Sequence, residues 1–262
     1  MIEMATMRTY LILLMVFFFL GNVQAQDGGS DQQLAQHYYG NGEFNKALVY
    51  YDKLFAKNPS KFNFTRFVDC LTQTNDVKRA EKTYKRQISR NETDQEYKIL
   101  FAVFYEGQGA QNKADGIYNK LIEDLRANSI SVVQLYNAFK GQSKMDLAFQ
   151  TLEKGRRLLK KTYPLNYYFA EHYSYTGETQ KMMDEYLDLL DYHSSYQNDL
   201  QRILARKIDF SEEDTEEYTI LKNALITRTQ KNPNDTHYAE MLTWLFIQKQ
   251  NFAANLWCYA VD

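Results

Sequence analysis

Leu34-Ala35-Gln36-His37-Tyr38-Tyr39-Gly40-Asn41-Gly42-Glu43-Phe44-Asn45-Lys46-Ala47-Leu48-Val49-Tyr50-Tyr51 is the stretch that decides the fold. Leu34, Ala35 and Tyr38 fall on one face of a helix, because side chains three and four residues apart stack on the same side. Gly42 is the residue type that ends a helix by adopting a left-handed conformation. Phe44, Ala47, Tyr51 and Leu54 then recur at spacings of three, four and three, the stripe of a second amphipathic helix. Asn58-Pro59 ends that helix, since proline has no amide hydrogen and restricts the residue before it. A small Ala47 facing a large Tyr38 predicts two antiparallel helices in close approach.

The same arrangement returns along the chain. With Ala47 as the anchor, equivalent positions are Ala80, Ala114, Ala148 and Met182, at intervals of 33, 34, 34 and 34 residues. Four residues after the anchors stand Tyr51, Tyr84, Tyr118, Leu152 and Tyr186. Nine before them stand Tyr38, Leu71, Tyr105, Phe139 and Tyr173, and twelve before stand Ala35, Val68, Ala102, Tyr136 and Ala170. Five before them are Gly42, Asn75, Gly109, Ser143 and Gly177, all residue types suited to turns. Each repeat is therefore a helical hairpin with one apolar side uncovered. The next hairpin covers it, which predicts an all-α solenoid.

These residues resemble the tetratricopeptide repeat family, whose unit is a 34-residue helix–turn–helix. Leu34-Ala35, Tyr38, Gly42, Phe44, Ala47, Tyr51 and Pro59 follow that pattern, lacking only its leading Trp. The third unit keeps Ala102, Tyr105, Gly109, Ala114 and Tyr118; the fifth places Met182 where the family has Ala. The resemblance implies a right-handed superhelix over residues 26–262, in units of about 28–60, 61–94, 95–128, 129–162, 163–201, 202–235 and an incomplete 236–262.

Leu11 to Leu20 is an unbroken apolar run after Arg8, followed by small residues at Val23 and Ala25. A membrane-spanning helix needs ~20 such residues, so the run is half that length and reads as a secretory signal over residues 1–25, cleaved after Ala25. The expected address is the periplasm or the exterior, with no membrane span in the mature chain. A net charge of −2 gives no broad attraction to phosphate, so nucleic acid is not an expected partner. Hydrophobic residues at 44% supply a core.

Two stretches depart from the register. Leu221, the next candidate anchor, lies 39 residues after Met182, which places an insertion of about five residues around Ile208 to Ser211. Ser211-Glu-Glu-Asp214 reads as a capped helix start, its acidic residues matched to the helix dipole. It lacks the spacing of a calcium loop. Thr236 to Gln250 reads as a further first helix, and Phe252 to Trp257 as the opening of its partner. With no polar cap after it, the expectation is a longer protein or self-association through the last unit.

His37, His172, His193 and His237 are scattered without metal-ligand spacing, and Cys70 and Cys258 read as buried thiols in distant units. Neither catalytic residues nor a cofactor or metal site is expected. Asn63-Phe-Thr65, Asn91-Glu-Thr93 and Asn234-Asp-Thr236 are glycosylation sequons. The resemblance implies a concave groove lined by the first helices, holding a peptide or partner helix. Its candidate residues are Gln36, Tyr39, Asp69, Thr72, Glu106, Asn137, Lys140, Tyr167, Glu171 and Tyr175, with the three tyrosines as aromatic anchors. The family's lysine–asparagine carboxylate clamp is not reproduced, because Gln32, Gln36 and Asp69 stand at its positions. The expected role is a protein-interaction scaffold of the bacterial envelope. The alternative is a non-catalytic repeat segment of a longer cell-wall or glycan-processing enzyme.

Overall fold

The computed structural model describes the backbone of residues 23–160, 162–211 and 215–259, and side chains over 30–160, 162–211 and 215–250. The signal over residues 1–25 therefore lies almost wholly outside the described residues. The elements are α1 (Val23–Gly40), α2 (Phe44–Lys57), α3 (Lys61–Gln73), α4 (Val77–Arg90), α5 (Gln95–Gly107), α6 (Gln111–Glu123) and α7 (Ser129–Gly141). They continue with α8 (Met145–Leu159), α9 (Asn166–Thr176), α10 (Thr179–Tyr192), a 3₁₀ turn at Ser194–Tyr196, α11 (Gln197–Lys207), α12 (Glu216–Lys231) and α13 (Thr236–Tyr259). No strand occurs among the described residues. The fold is all-α, built of tetratricopeptide-type helical hairpins of the α-solenoid class.

One turn is used five times. Gly42, Asn75, Gly109, Ser143 and Gly177 all take positive φ, between 56° and 76°. The next amide donates back to the bulky residue nine before the anchor: Glu43 to Tyr38 at 2.9 Å, Asp76 to Leu71 at 2.8 Å, Ala110 to Tyr105 at 2.8 Å, Lys144 to Phe139 at 3.0 Å and Glu178 to Tyr173 at 2.9 Å. This left-handed cap satisfies carbonyls that the helix end leaves free and reverses the chain in the same way each time. Ala47, Ala80, Ala114 and Ala148 have no exposed surface, and Met182 is buried as well. The anchors thus sit where two helices cross closely.

The chain divides into two compact units between Phe101 and Ala102, within α5. In the first, α1 packs on α2, α2 on α3 and α3 on α4. Aromatic rings run through it: Phe55 stacks on Phe67 at 5.5 Å, Phe64 meets Tyr84 and Tyr97 edge-on at 5.2 and 5.1 Å, and Tyr84 stacks on Phe101 at 5.1 Å. Each such ring, taken out of water, stabilises the fold by about 1.5–3 kcal/mol. Tyr38 is less enclosed; it stacks on Tyr50 at 5.7 Å beneath the Lys46 ammonium. Cys70 is buried, and desolvation pushes its thiol up to about 12, which leaves it unreactive. Cys258 lies beyond the described side chains.

In the second unit α7 pairs with α8 and α9 with α10, while α10 packs on α12, second helix to second, and α11 on α13, first to first. Arg156 of α8 holds Glu185 of α10 through both guanidinium nitrogens at 2.9 and 2.6 Å and lies over the Phe169 ring at 3.5 Å. Arg228 of α12 reaches Asp188 at 2.6 Å and Asp184 at 3.3 Å on α10. These paired charges fix how neighbouring hairpins meet.

Three expectations are corrected. Ser211 does not cap α12: its amide and hydroxyl donate to Asp209 Oδ1 at 2.8 and 2.6 Å, and Thr215 caps the helix by accepting from the Tyr218 amide at 3.3 Å. The buried Ile208 and Phe210 explain the delay, because they draw the intervening loop against Tyr218 and Trp244 before the helix can start. The boundary after residue 201 falls inside α11, so the sixth hairpin begins at the 3₁₀ turn. And α13 runs unbroken through the expected turn near Phe252, where the sequence has neither Gly nor Pro.

Ser143 carries a Cβ in the left-handed region, where an L-residue is disfavoured, whereas Gly109 carries none. Denaturant titration should show Ser143→Gly more stable by about 0.5–1 kcal/mol and Gly109→Ala less stable by about 1 kcal/mol. A loss of stability in Ser143→Gly would contradict the turn assignment.

Candidate functional site

The candidate residues stand on α1, α3, α5, α7 and α9, the first helices of the hairpins. Within the first unit, Tyr39, eight before Ala47, comes beside Asp69, eleven before Ala80. In the first unit the Tyr39 hydroxyl donates to Asp69 Oδ2, and the Arg66 guanidinium lies over the Tyr39 ring at 4.4 Å. Burial, and then the adjoining Asp69, push the Tyr39 phenol up. Gln36 is exposed, and the Thr72 hydroxyl turns back to the Val68 carbonyl at 2.8 Å.

In the second unit Glu106 accepts from the Lys144 ammonium at 2.5 Å. Glu171 accepts from the Tyr186 hydroxyl at 2.6 Å and pairs with Lys207 of α11 at 3.3 Å. Burial alone would raise the Glu171 carboxyl, but Tyr186, Lys207 and Lys140 outweigh it and hold it below its ordinary value. Asn137 and Lys140 are exposed, the Lys140 ammonium 5.8 Å over the Tyr136 ring. Glu106, Lys140 and Glu171 were legible as a polar lining; Arg66, Lys144, Tyr186 and Lys207, which neutralise that lining, were not.

Tyr167 is different. It is 41% exposed and borders a cleft of about 420 Å³ between the start of α9 and α11. Tyr163, Pro164, Tyr168 and Tyr196 share the walls; Leu189, Leu200 and Ile203 form an apolar part, and Asp199, Arg202 and Arg206 complete the lining. Beneath Tyr168, Tyr136 meets it edge-on at 5.7 Å; the buried Tyr136 hydroxyl has no hydrogen-bond partner among the described residues. Tyr175 is the most exposed of the large aromatics among the described residues, at 69%, and does not line this cleft. A cleft with aromatic walls and a few polar groups is the form of a recognition site.

Among the described residues no group of three or more His, Cys, Asp or Glu side chains is placed to hold a metal ion. No described helix is long and apolar enough to cross a membrane. The sequon residue Asn63 is buried, its side-chain amide donating to the carbonyls of Asn58 at 2.9 Å and Leu54 at 3.4 Å, so it is withdrawn from modification.

No protein-family model matches the chain, and no curated protein sequence matches it. Among solved structures it is similar to the APC/C hetero-tetramer Cut9–Hcn1, at 13% identity and TM-score 0.29, covering 82% of this chain and 42% of that one. It is similar to Naa15/Naa10 bound to HypK-THB, at 18% identity and TM-score 0.31, covering 78% and 31%. It is also similar to PilF of Pseudomonas aeruginosa, at 15% identity and TM-score 0.32, covering 84% and 98%. The chain thus spans less than half the length of the first two. The class assignment stands on the chain's own geometry, the repeated turn and the paired helices.

His172 of α9 lies 4.5 Å from the Phe149 ring and nearly parallel to it. Burial lowers its pKa; Glu178 and Asp146 partly offset this, and Lys140 adds to it. An unfolded histidine takes up a proton near pH ~6.5, and the folded one only below that. Stability is therefore complete above about pH 6.5 and declines as pH falls from there toward the folded value. Melting curves between pH ~7.5 and ~5 should show a decline that is smaller in His172→Phe; equal declines would contradict the assignment.

Proposed function

We propose that this chain is an exported protein-interaction scaffold of the bacterial cell envelope, holding a partner peptide along the first-helix face of its hairpins. The observation that carries this reading is the tyrosine-walled cleft at Tyr167. It is an exposed aromatic surface on the same face as Tyr39, Asp69, Thr72, Glu106 and Glu171, whose polar groups are engaged within the protein. Partner recognition concentrates on such aromatic anchors, while paired charges around them contribute mainly complementarity. The apolar run at Leu11–Leu20 supports export.

The test is site-specific photo-crosslinking in living cells. A benzophenone side chain at Tyr39, Glu106 or Tyr167 should give the same partner adduct. One at Val49, exposed on the second helix α2, should give none. The adduct should co-fractionate with the periplasm or medium, and the mature N-terminus should be Gln26. Adducts from Val49 alone, or no adduct at any first-helix position, would contradict the groove reading.

A further inference from the structure

The cleft between α9 and α11 also limits what its occupant can be. At ~420 Å³ it has room for a short segment of a partner. It offers no strand edge, so an incoming strand finds no ladder to join. Two or three residues of extended chain do fit.

The walls specify more. Tyr163, Tyr167, Tyr168 and Tyr196 line the cleft together with Pro164, and aromatic-lined grooves are where polyproline-type segments dock with little ordering cost. At the rim, Arg202 is engaged by Asp199 one helical turn away. Arg206, a turn further along α11, is exposed and has no acidic partner among the described residues. The lining therefore carries one uncompensated positive charge beside an aromatic floor.

We propose that this cleft binds an extended, proline-bearing peptide segment with a single carboxylate, the proline ring lying on the tyrosines and the carboxylate pairing with Arg206. The proposal deepens the partner-binding reading and rests on it. It places the specificity in α9 and α11 rather than in the residues paired at Asp69, Glu106 and Glu171. An Arg–carboxylate pair is charge-assisted, and the same guanidinium repels a basic residue in that position.

Fluorescence anisotropy of the full mature chain tests it with two labelled hexapeptides amidated at the C-terminus, Ala-Pro-Leu-Pro-Asp-Ala and its Asp-to-Lys counterpart. The acidic peptide should bind at least ten-fold more tightly. Arg206→Gln should remove most of that preference, weakening the acidic peptide and, by relieving repulsion, strengthening the basic one, and Tyr196→Ala should weaken both. Far-ultraviolet circular dichroism confirms that each variant is folded, and a phenylalanine at Tyr196 serves if the alanine variant is not. Equal binding of the two peptides, no binding of either, or a preference that survives Arg206→Gln would overturn the proposal. Failure here with partner crosslinks retained at Tyr167 would discard this peptide chemistry and leave the scaffold reading standing.

Discussion

A single backbone hydrogen bond sets the geometry of this molecule. It runs from the amide four residues before each anchor to the carbonyl nine before it, and it closes only when the residue between takes positive φ. Without that closure the two helices of a hairpin would not fold back at one fixed angle. The anchors would then not meet at the crossing, and the apolar sides would not match their neighbours. Glycine supplies the conformation at three of the five turns; Asn75 and Ser143 adopt it against their own steric preference, which shows that packing on either side dictates the turn.

Repetition of that turn has a consequence for the site. Stacked hairpins bring polar residues of neighbouring elements together. Tyr39 meets Asp69 in this way, while Glu171 is held by Tyr186 of its own hairpin and by Lys207 of α11. They rigidify the face and remove those groups from easy use by a partner. After Tyr192 a 3₁₀ turn leads into α11. The tyrosine cleft opens there, between the start of α9 and α11.

The sequence shows the hairpins because their period is long and their requirements are strict: a small residue where helices cross, a turn former five positions earlier, a bulky residue nine earlier. It does not show the start of α12, because Ser211 and Thr215 both precede acidic residues in the manner of a helix cap. Burial of Ile208 and Phe210 decides between them, and burial is a tertiary property. The unbroken α13 is a similar case: Phe252 to Trp257 matches a second-helix stripe, yet nothing there turns the chain. Tyr167 was legible as a candidate anchor, but Tyr163, Tyr196 and Arg206 lie outside the repeating register, so no periodic signal marks them. Lys144 and Lys207, which neutralise Glu106 and Glu171, lie 38 and 36 residues from them and are brought close only by stacking of hairpins.

Amide hydrogen exchange followed by nuclear magnetic resonance tests the repeated turn most directly. The amides of Glu43, Asp76, Ala110, Lys144 and Glu178 lie past the ends of their helices, where a free loop exchanges at the rate of an unstructured peptide. The account predicts that all five are protected to the same degree as the helices they follow. Exchange of these amides at free-loop rates, with the flanking helices still protected, would contradict it.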